Sequence, residues 1–289
     1  MIVHLVDGTF ELFRHYYGVP KALDKNGVEV GAVRGVVASV RGMLNFGATH
    51  VGVATDHVIE SFRNQLWPGY KTSEGIAPDL LAQFHPLEEA LVALGVKVWP
   101  MIEYEADDAL GAAAVKAALD PRVTQVRICS PDKDLSQCVR GTRIVQEDRL
   151  RRTIRDEAGV IAKFGVGPGS IPDYLALVGD SSDGYPGLAG WGAKSASAVL
   201  AKFGHIENIP DDPTTWGVNV RAGALAATLK RDRELALLFR DIATIRTDVP
   251  VFESVDELEW HGPTPAFAAV KARFDSAVSD DSGRAPRRN

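Results

Sequence analysis

The chain has 289 residues, of which 45% are hydrophobic and 24% charged, and it carries a formal net charge of −6. That is the composition of a globular protein large enough to bury a core. It has no run of about 18 apolar residues, and its N-terminus (MIVHLVDGTF) lacks an export signal, so a cytoplasmic protein is expected. Cys129 and Cys138 lack CxxC or Cys/His ligand spacing and read as buried free thiols, which sets zinc and redox chemistry aside.

Over the first 150 residues, short β-branched runs alternate with longer amphipathic or Ala-rich segments, the pattern of a largely parallel α/β sheet. In chain order, a strand is expected over 2–6 and a helix over 31–46, where Val33, Val36, Val37, Val40 and Leu44 recur at three- and four-residue spacing. Strands over 50–55 and 96–99 follow, then a strong helix former over 106–119 and a strand over 123–130. Runs at 143–146 and 153–155 flank the turn-like EDRLR and read as a hairpin. Beyond residue 156 the pattern is mostly helical, with glycine-rich punctuation between Gly179 and Gly192; the polar stretch 276–289 is expected to be disordered.

Acid follows every predicted strand: Asp7 after the first, Asp56 after the second, Glu105 with Asp107 and Asp108 after the third, Asp132 with Asp134 after the fourth. In an open parallel sheet the strand C-termini share one edge, where ligands bind. Each acid taken alone has a plainer use: Asp7 before Gly8 suits a helix cap, and DKD at 132–134 suits a capping segment with a solvated Lys133. Their recurrence at one geometrical position favours a metal site instead, because crowded carboxylates repel unless cations join them, and hard divalent ions prefer oxygen ligands. The negative net charge does not exclude a nucleic-acid partner. Setting aside nine acids, the seven above with Asp180 and Asp183, takes the remainder from −6 to +3.

The segment 179–204 carries Asp180 and Asp183, then Gly187, Gly190 and Gly192 in a G-x-x-G-x-G arrangement leading into a helix near Lys194. Glycines in such a turn let backbone N–H groups approach a phosphate at a helix N-terminus, with Lys194 and Lys202 following; an ordinary helix-to-helix turn has a similar composition.

With these residues in view, the chain resembles the bacterial and phage 5′ nucleases (flap endonucleases), particularly the 5′-to-3′ exonuclease domain of DNA polymerase I, from residue 2 to about 274. The carrying motifs are LVDG at 5–8, SFRNQLWPGYK at 61–71, YEADD at 104–108, PDKDLSQ at 131–137 and GDSSDGYPGLAGWGAKSA at 179–196. No polymerase module follows them, so the resemblance is to a stand-alone member. It implies a PIN-like (Rossmann-like), mostly parallel sheet flanked by helices over 1–156, with an arch near 57–92. A helical region over 157–275 would hold a helix-hairpin-helix at 179–203.

By the same resemblance, Asp7, Asp56, Glu105, Asp107, Asp108, Asp132, Asp134, Asp180 and Asp183 are metal-site acids for two or more Mg²⁺ or Mn²⁺ ions. Arg63 and Lys71 would act on the scissile phosphate, and Tyr70 would stack on a terminal base. The Gly187, Gly190, Gly192, Lys194, Ser195 and Lys202 segment would grip duplex DNA, with K⁺ at the helix-hairpin-helix. Departures from the family pattern are Glu74 in YKTSEG, Gly184 in place of Asn, and Trp191 in place of a small aliphatic residue. Arg140, Arg143, Arg149, Arg151, Arg152 and Arg155 either contact duplex phosphates or solvate the hairpin.

The implied function is two-metal hydrolysis of DNA at or near 5′ ends, in replication and repair, by a monomer cooperating with a polymerase and a ligase. A DNA-binding module without hydrolysis and a ribonuclease acting on RNA 5′ ends are the rival readings.

Overall fold

The computed structural model describes residues 1–275 together with 278 and 279. Its first half is a three-layer α/β/α unit. Strand β1 (Ile2–Asp7) leads into α1 (Gly8–Gly18), the short β2 (Ala22–Leu23), α2 (Gly31–Asn45) and β3 (His50–Asp56). Then come the one-turn helices α3 (Arg63–Leu66) and α4 (Pro78–Leu81), α5 (Phe84–Leu94), β4 (Lys97–Met101), α6 (Ala106–Leu119), β5 (Gln125–Cys129), β6 (Ile144–Asp148) and β7 (Thr153–Arg155).

The sheet order is β4-β3-β1-β5-β6-β7, parallel throughout except for the β6–β7 hairpin, in which Gln146 faces Arg155. Central strands covered on both faces need continuous apolar runs, and Val3, Leu5 and Val6 of β1 and Val51, Val53 and Ala54 of β3 are all fully buried. One face is covered by α1, α2 and α5 through Val33, Val36, Val40, Leu87 and Leu91; α6 covers the other with Ala109, Leu110, Ala113 and Ala117. The small residues of α6 admit the later chain closely: a Cβ on Gly111 would sit 2.4 Å from Ile245.

The second half is helical: α7 (Glu157–Phe164), α8 (Ile171–Val178), α9 (Ala193–Phe203), α10 (Ala222–Arg231), α11 (Arg233–Ala243) and α12 (Phe267–Asp275). Its core gathers around Trp216, Tyr185 and Phe239, and Trp67 reaches it from just after α3, edge-on to Phe239 at 5.1 Å. The segment expected as an arch, 57–92, carries α3, α4 and most of α5, with Leu80, Phe84, Leu87 and Leu91 buried. Most of the expected disordered stretch 276–289 lies outside the described residues; Val278–Ser279 form β8, antiparallel to Ala22–Leu23.

The loop from α8 to α9 depends on a glycine pair. Gly179 and Gly187 both have positive φ (+85° and +68°), and a Cβ on Gly187 would lie 2.4 Å from the Gly179 nitrogen. Gly190 shares the left-handed backbone (φ +83°), but a Cβ there meets nothing within 4 Å. Gly187→Ala should therefore combine backbone strain with a backbone clash and lower unfolding stability by about 2–3 kcal/mol, against about 1 kcal/mol for Gly190→Ala. Urea midpoints for the two variants measure the difference.

Candidate metal centre

The register of the sheet brings the strand-end acids together. Asp7 is level with Ala54, two residues before Asp56, and Asp56 is level with Met101, just ahead of Glu105. A cavity of about 510 Å³ opens at this edge, lined by Asp7, Asp56, Glu105, Asp107, Asp132 and Asp183, with Lys71 as its one lining cation among the described residues.

Asp7 does two things at once. Its Oδ1 caps α1 by accepting from the Phe10 N–H at 2.8 Å, and its Oδ2 accepts from the Ser130 hydroxyl at 2.9 Å. Burial first, then the charges of Asp56 and Asp132, still push its pKa up to about 7. Asp56 accepts from the Ala106 N–H at the start of α6 at 2.8 Å; burial and the Glu105 charge raise its pKa to about 6 despite Lys71. Asp107 is raised well above the carboxylate range by burial and by Asp132 and Asp7. Glu105 goes the other way. Burial opposes its charge, but Lys71 (2.8 Å), Arg63 (3.2 Å) and the Ser61 hydroxyl (2.6 Å) outweigh it and hold the pKa down to about 2.

A second group lies alongside. Asp134, Asp180 and Asp183 place one carboxylate oxygen each within 4.8 Å of the others, a spacing that suits a single cation. Burial and the neighbouring acids raise Asp134 and Asp183. Lys71 spans the two groups, reaching Glu105 and, at 3.1 Å, Asp183; Lys133 is tied to Asp180 and stands 3.9 Å from Asp134. Each acid group thus holds a lysine ammonium of the chain itself.

Against known proteins, residues 2–165 match the family described as 5′-3′ exonuclease, N-terminal resolvase-like domain, and residues 166–266 match its C-terminal SAM fold. The chain belongs to the 5′-3′ exonuclease family. It is 33% identical over 251 residues to a 5′-3′ exonuclease of Buchnera aphidicola subsp. Baizongia pistaciae, covering 86% of this chain and 82% of that protein. It is 34% identical over 264 residues to DNA polymerase I of Pseudomonas aeruginosa, covering 88% of this chain but only 28% of the polymerase. The fold matches T5 5′-exonuclease with bound zinc (TM-score 0.67, 19% identity, 86% and 90% coverage). It also matches the catalytic core of Rad2 in complex with DNA substrate (TM-score 0.61, 16% identity, 94% and 87% coverage).

In this member of the family, not every acid named from the motifs reaches the cavity. Asp108 is fully buried and faces away from it. It accepts from Arg63 Nη1 at 2.7 Å and Nη2 at 2.8 Å, from the Glu105 N–H at 3.0 Å and from the Arg246 N–H at 2.8 Å. Arg63 also donates to the Ile242 and Thr244 carbonyls at 2.8 and 3.1 Å, and its Nη1 stands 3.2 Å from Glu105. Neither lines the cavity, contrary to the expectation that Asp108 binds metal and Arg63 meets phosphate. Tyr70, expected to stack on a base, is only 4% exposed and donates to Glu105 Oε2 at 3.1 Å.

The glycine segment also divides. Gly187 is packed against backbone, whereas Gly190 and Gly192 have open space in front of them. Lys194 is exposed; Ser195 closes on the Gly192 N–H and carbonyl, and Lys202 is bound to the Trp216 carbonyl at 2.6 Å. Of the hairpin arginines, Arg143 serves the Ala118 and Asp120 carbonyls and Arg149 that of Ser39, while Arg151 and Arg152 are exposed. Lys133 and the apolar lining residues Phe10 and Phe13 escaped sequence reasoning. Lys133 read there as a solvated lysine, and the two phenylalanines carry no signal beyond the apolar face of α1.

Two expectations follow from these charges. Acids with raised pKa favour the protonated folded state, so the stability tied to Asp7 and Asp56 is present at low pH and lost as pH rises through about 6 and 7. In EDTA the Tm should fall between pH 5 and 8, and the Tm gain on adding Mn²⁺ should be larger at pH 8 than at pH 5; a flat metal-free profile contradicts this charge balance. Separately, Arg63→Ala should cost about 3–5 kcal/mol by leaving Asp108 buried and unpaired, read from urea unfolding.

Proposed function

We propose that this chain is a divalent-metal-dependent 5′ nuclease that hydrolyses DNA phosphodiester bonds at or near 5′ ends, as a 5′-to-3′ exonuclease and structure-specific flap endonuclease. The observation that carries this reading is the cavity in which Asp7, Asp56, Asp107 and Asp132 face a single lysine, Lys71. Such a lining is electrostatically complete only with added cations. The chain's structural neighbours include T5 5′-exonuclease with bound zinc and the catalytic core of Rad2 with DNA substrate.

The donor set is all oxygen, which suits Mg²⁺ or Mn²⁺. Asp7, Asp56, Asp107, Asp132 and Glu105 would hold ions at the cavity, and Asp134, Asp180 and Asp183 at the adjoining group. Ions so held supply Lewis acidity and a lowered pKa for water. The chain's own residues do the rest. Lys71, a third exposed and anchored by Glu105 and Asp183, presents its ammonium to a phosphate oxygen entering the cavity. Phe10 and Phe13 form an apolar wall against which a terminal nucleobase packs, the role first given to Tyr70. Arg63 and Asp108 act beneath the site by fixing the start of α6, from which Asp107 projects.

Away from the cavity, the exposed backbone at Gly190, with Lys194 at the start of α9, forms the duplex grip, at which K⁺ is the further ion. The protein works as a cytoplasmic monomer whose products pass to a polymerase and a ligase.

A labelled 5′-flap DNA tests the reading. Asp107→Asn should lower the cleavage rate at least a hundredfold in Mg²⁺ or Mn²⁺ while flap binding in Ca²⁺ persists, and Lys71→Ala should lower kcat by about 10²-fold with smaller change in KM. Undiminished cutting by Asp107→Asn overturns the site. Faster cutting of a matched RNA flap redirects the substrate to RNA.

A further inference from the structure

In the Asp134, Asp180 and Asp183 group, Asp134 Oδ1 is buried without a hydrogen-bond partner, and so is the hydroxyl of Tyr185, two residues after Asp183. Tyr185 is 1% exposed, its ring tilted against Phe239 with centroids 5.4 Å apart. Its backbone is paired with Asp180 in both directions, at 2.8 and 3.0 Å. The loop therefore fixes the Tyr185 main chain against Asp180, one of the three acids. The other two acids have partners: Asp180 Oδ1 accepts from the Ser182 N–H at 2.9 Å, Asp180 Oδ2 faces Lys133, and Asp183 Oδ1 faces Lys71 at 3.1 Å. Asp134 Oδ1 has only the Lys133 ammonium, at 3.9 Å.

A phenol is protonated at neutral pH and acts toward a carboxylate only as a donor; burial and the charges of Asp134, Asp183 and Asp180 act in the same direction. An unpaired buried hydroxyl is a stability penalty, tolerated in native proteins chiefly where function uses it.

We propose that Tyr185 is a positioning residue of this acid group: when the group holds an ion, its free hydroxyl becomes the donor to Asp134 and turns one carboxylate oxygen aside, so that the other faces the centre of the group. The proposal rests on the reading that this group holds a divalent ion. A hydrogen bond that orients a ligand carboxylate commonly changes metal affinity 10- to 100-fold.

The test is Tyr185→Phe in the full chain, which removes only the hydroxyl. Mn²⁺ binding is followed by calorimetry without DNA, and thermal unfolding is followed with and without Mn²⁺. The variant should keep a metal-free Tm at or above that of the wild type, because an unpaired group is gone. Its Mn²⁺-induced Tm gain should shrink, and one Mn²⁺ dissociation constant should rise about tenfold. In an Asp134→Asn background the same substitution should add nothing. Equal Mn²⁺ affinity in wild type and Tyr185→Phe overturns the role of Tyr185 alone, whereas a wild-type protein that takes up no Mn²⁺ overturns the metal reading with it.

Discussion

Crowded negative charge at the C-terminal edge of one sheet is the constraint that the rest of the molecule accommodates. Asp7 and Asp56 are pinned to strand ends, and each also accepts a backbone N–H, from Phe10 and Ala106. They cannot swing apart to relieve repulsion without uncapping a helix. The chain meets the remaining charge with its own cations, Lys71 between the two acid groups and Lys133 within the second. Both are flexible ammonium groups on mobile stems, suited to yielding their place to a harder ion. A guanidinium there would bind two oxygens at once and be harder to displace.

Below that responsive layer lies a rigid one. The Arg63 guanidinium joins Asp108 of α6 to the carbonyls of Ile242 and Thr244 after α11, so one side chain ties the segment after β3, the helix behind the sheet and the helical half together. The fork's donors meet Asp108, Glu105 and the Ile242 and Thr244 carbonyls, and such full pairing is the condition under which a buried ion pair repays its desolvation. Neighbouring residues consequently have opposite fates. A helix turns by about 100° per residue, so Asp107 faces the cavity while Asp108 points into the core with Ala109 and Ala112.

The strands, α2, α6 and the hairpin were legible because their side chains report burial directly: continuous apolar runs mark strands covered on both faces, and Val33, Val36, Val40 and Leu44 mark one helical stripe. The convergence of strand-end acids was legible for the same topological reason. What stayed hidden depends on rotation and on distant partners. The motif EADD does not say which acid looks inward, and nothing near Arg63 in sequence announces Ile242, about 180 residues away. Asp7 shows that the two readings of a strand-end acid need not compete, since it caps α1 and lines the cavity at once.

Charge segregation settles how a chain of net charge −6 can face a polyanion. Most of the acids that dominate that sum lie at the cavity or in the adjoining group, with Asp108 paired to Arg63 beneath them, and the surface near Gly190 offers open backbone and Lys194 instead. A phosphate approaching there meets N–H dipoles at the start of α9 rather than the carboxylate field, which falls off over a Debye length of about 8 Å at physiological salt. On the proposed reading, the substrate backbone would be held near the start of α9, while the scissile phosphate would enter the acidic cavity together with its cations.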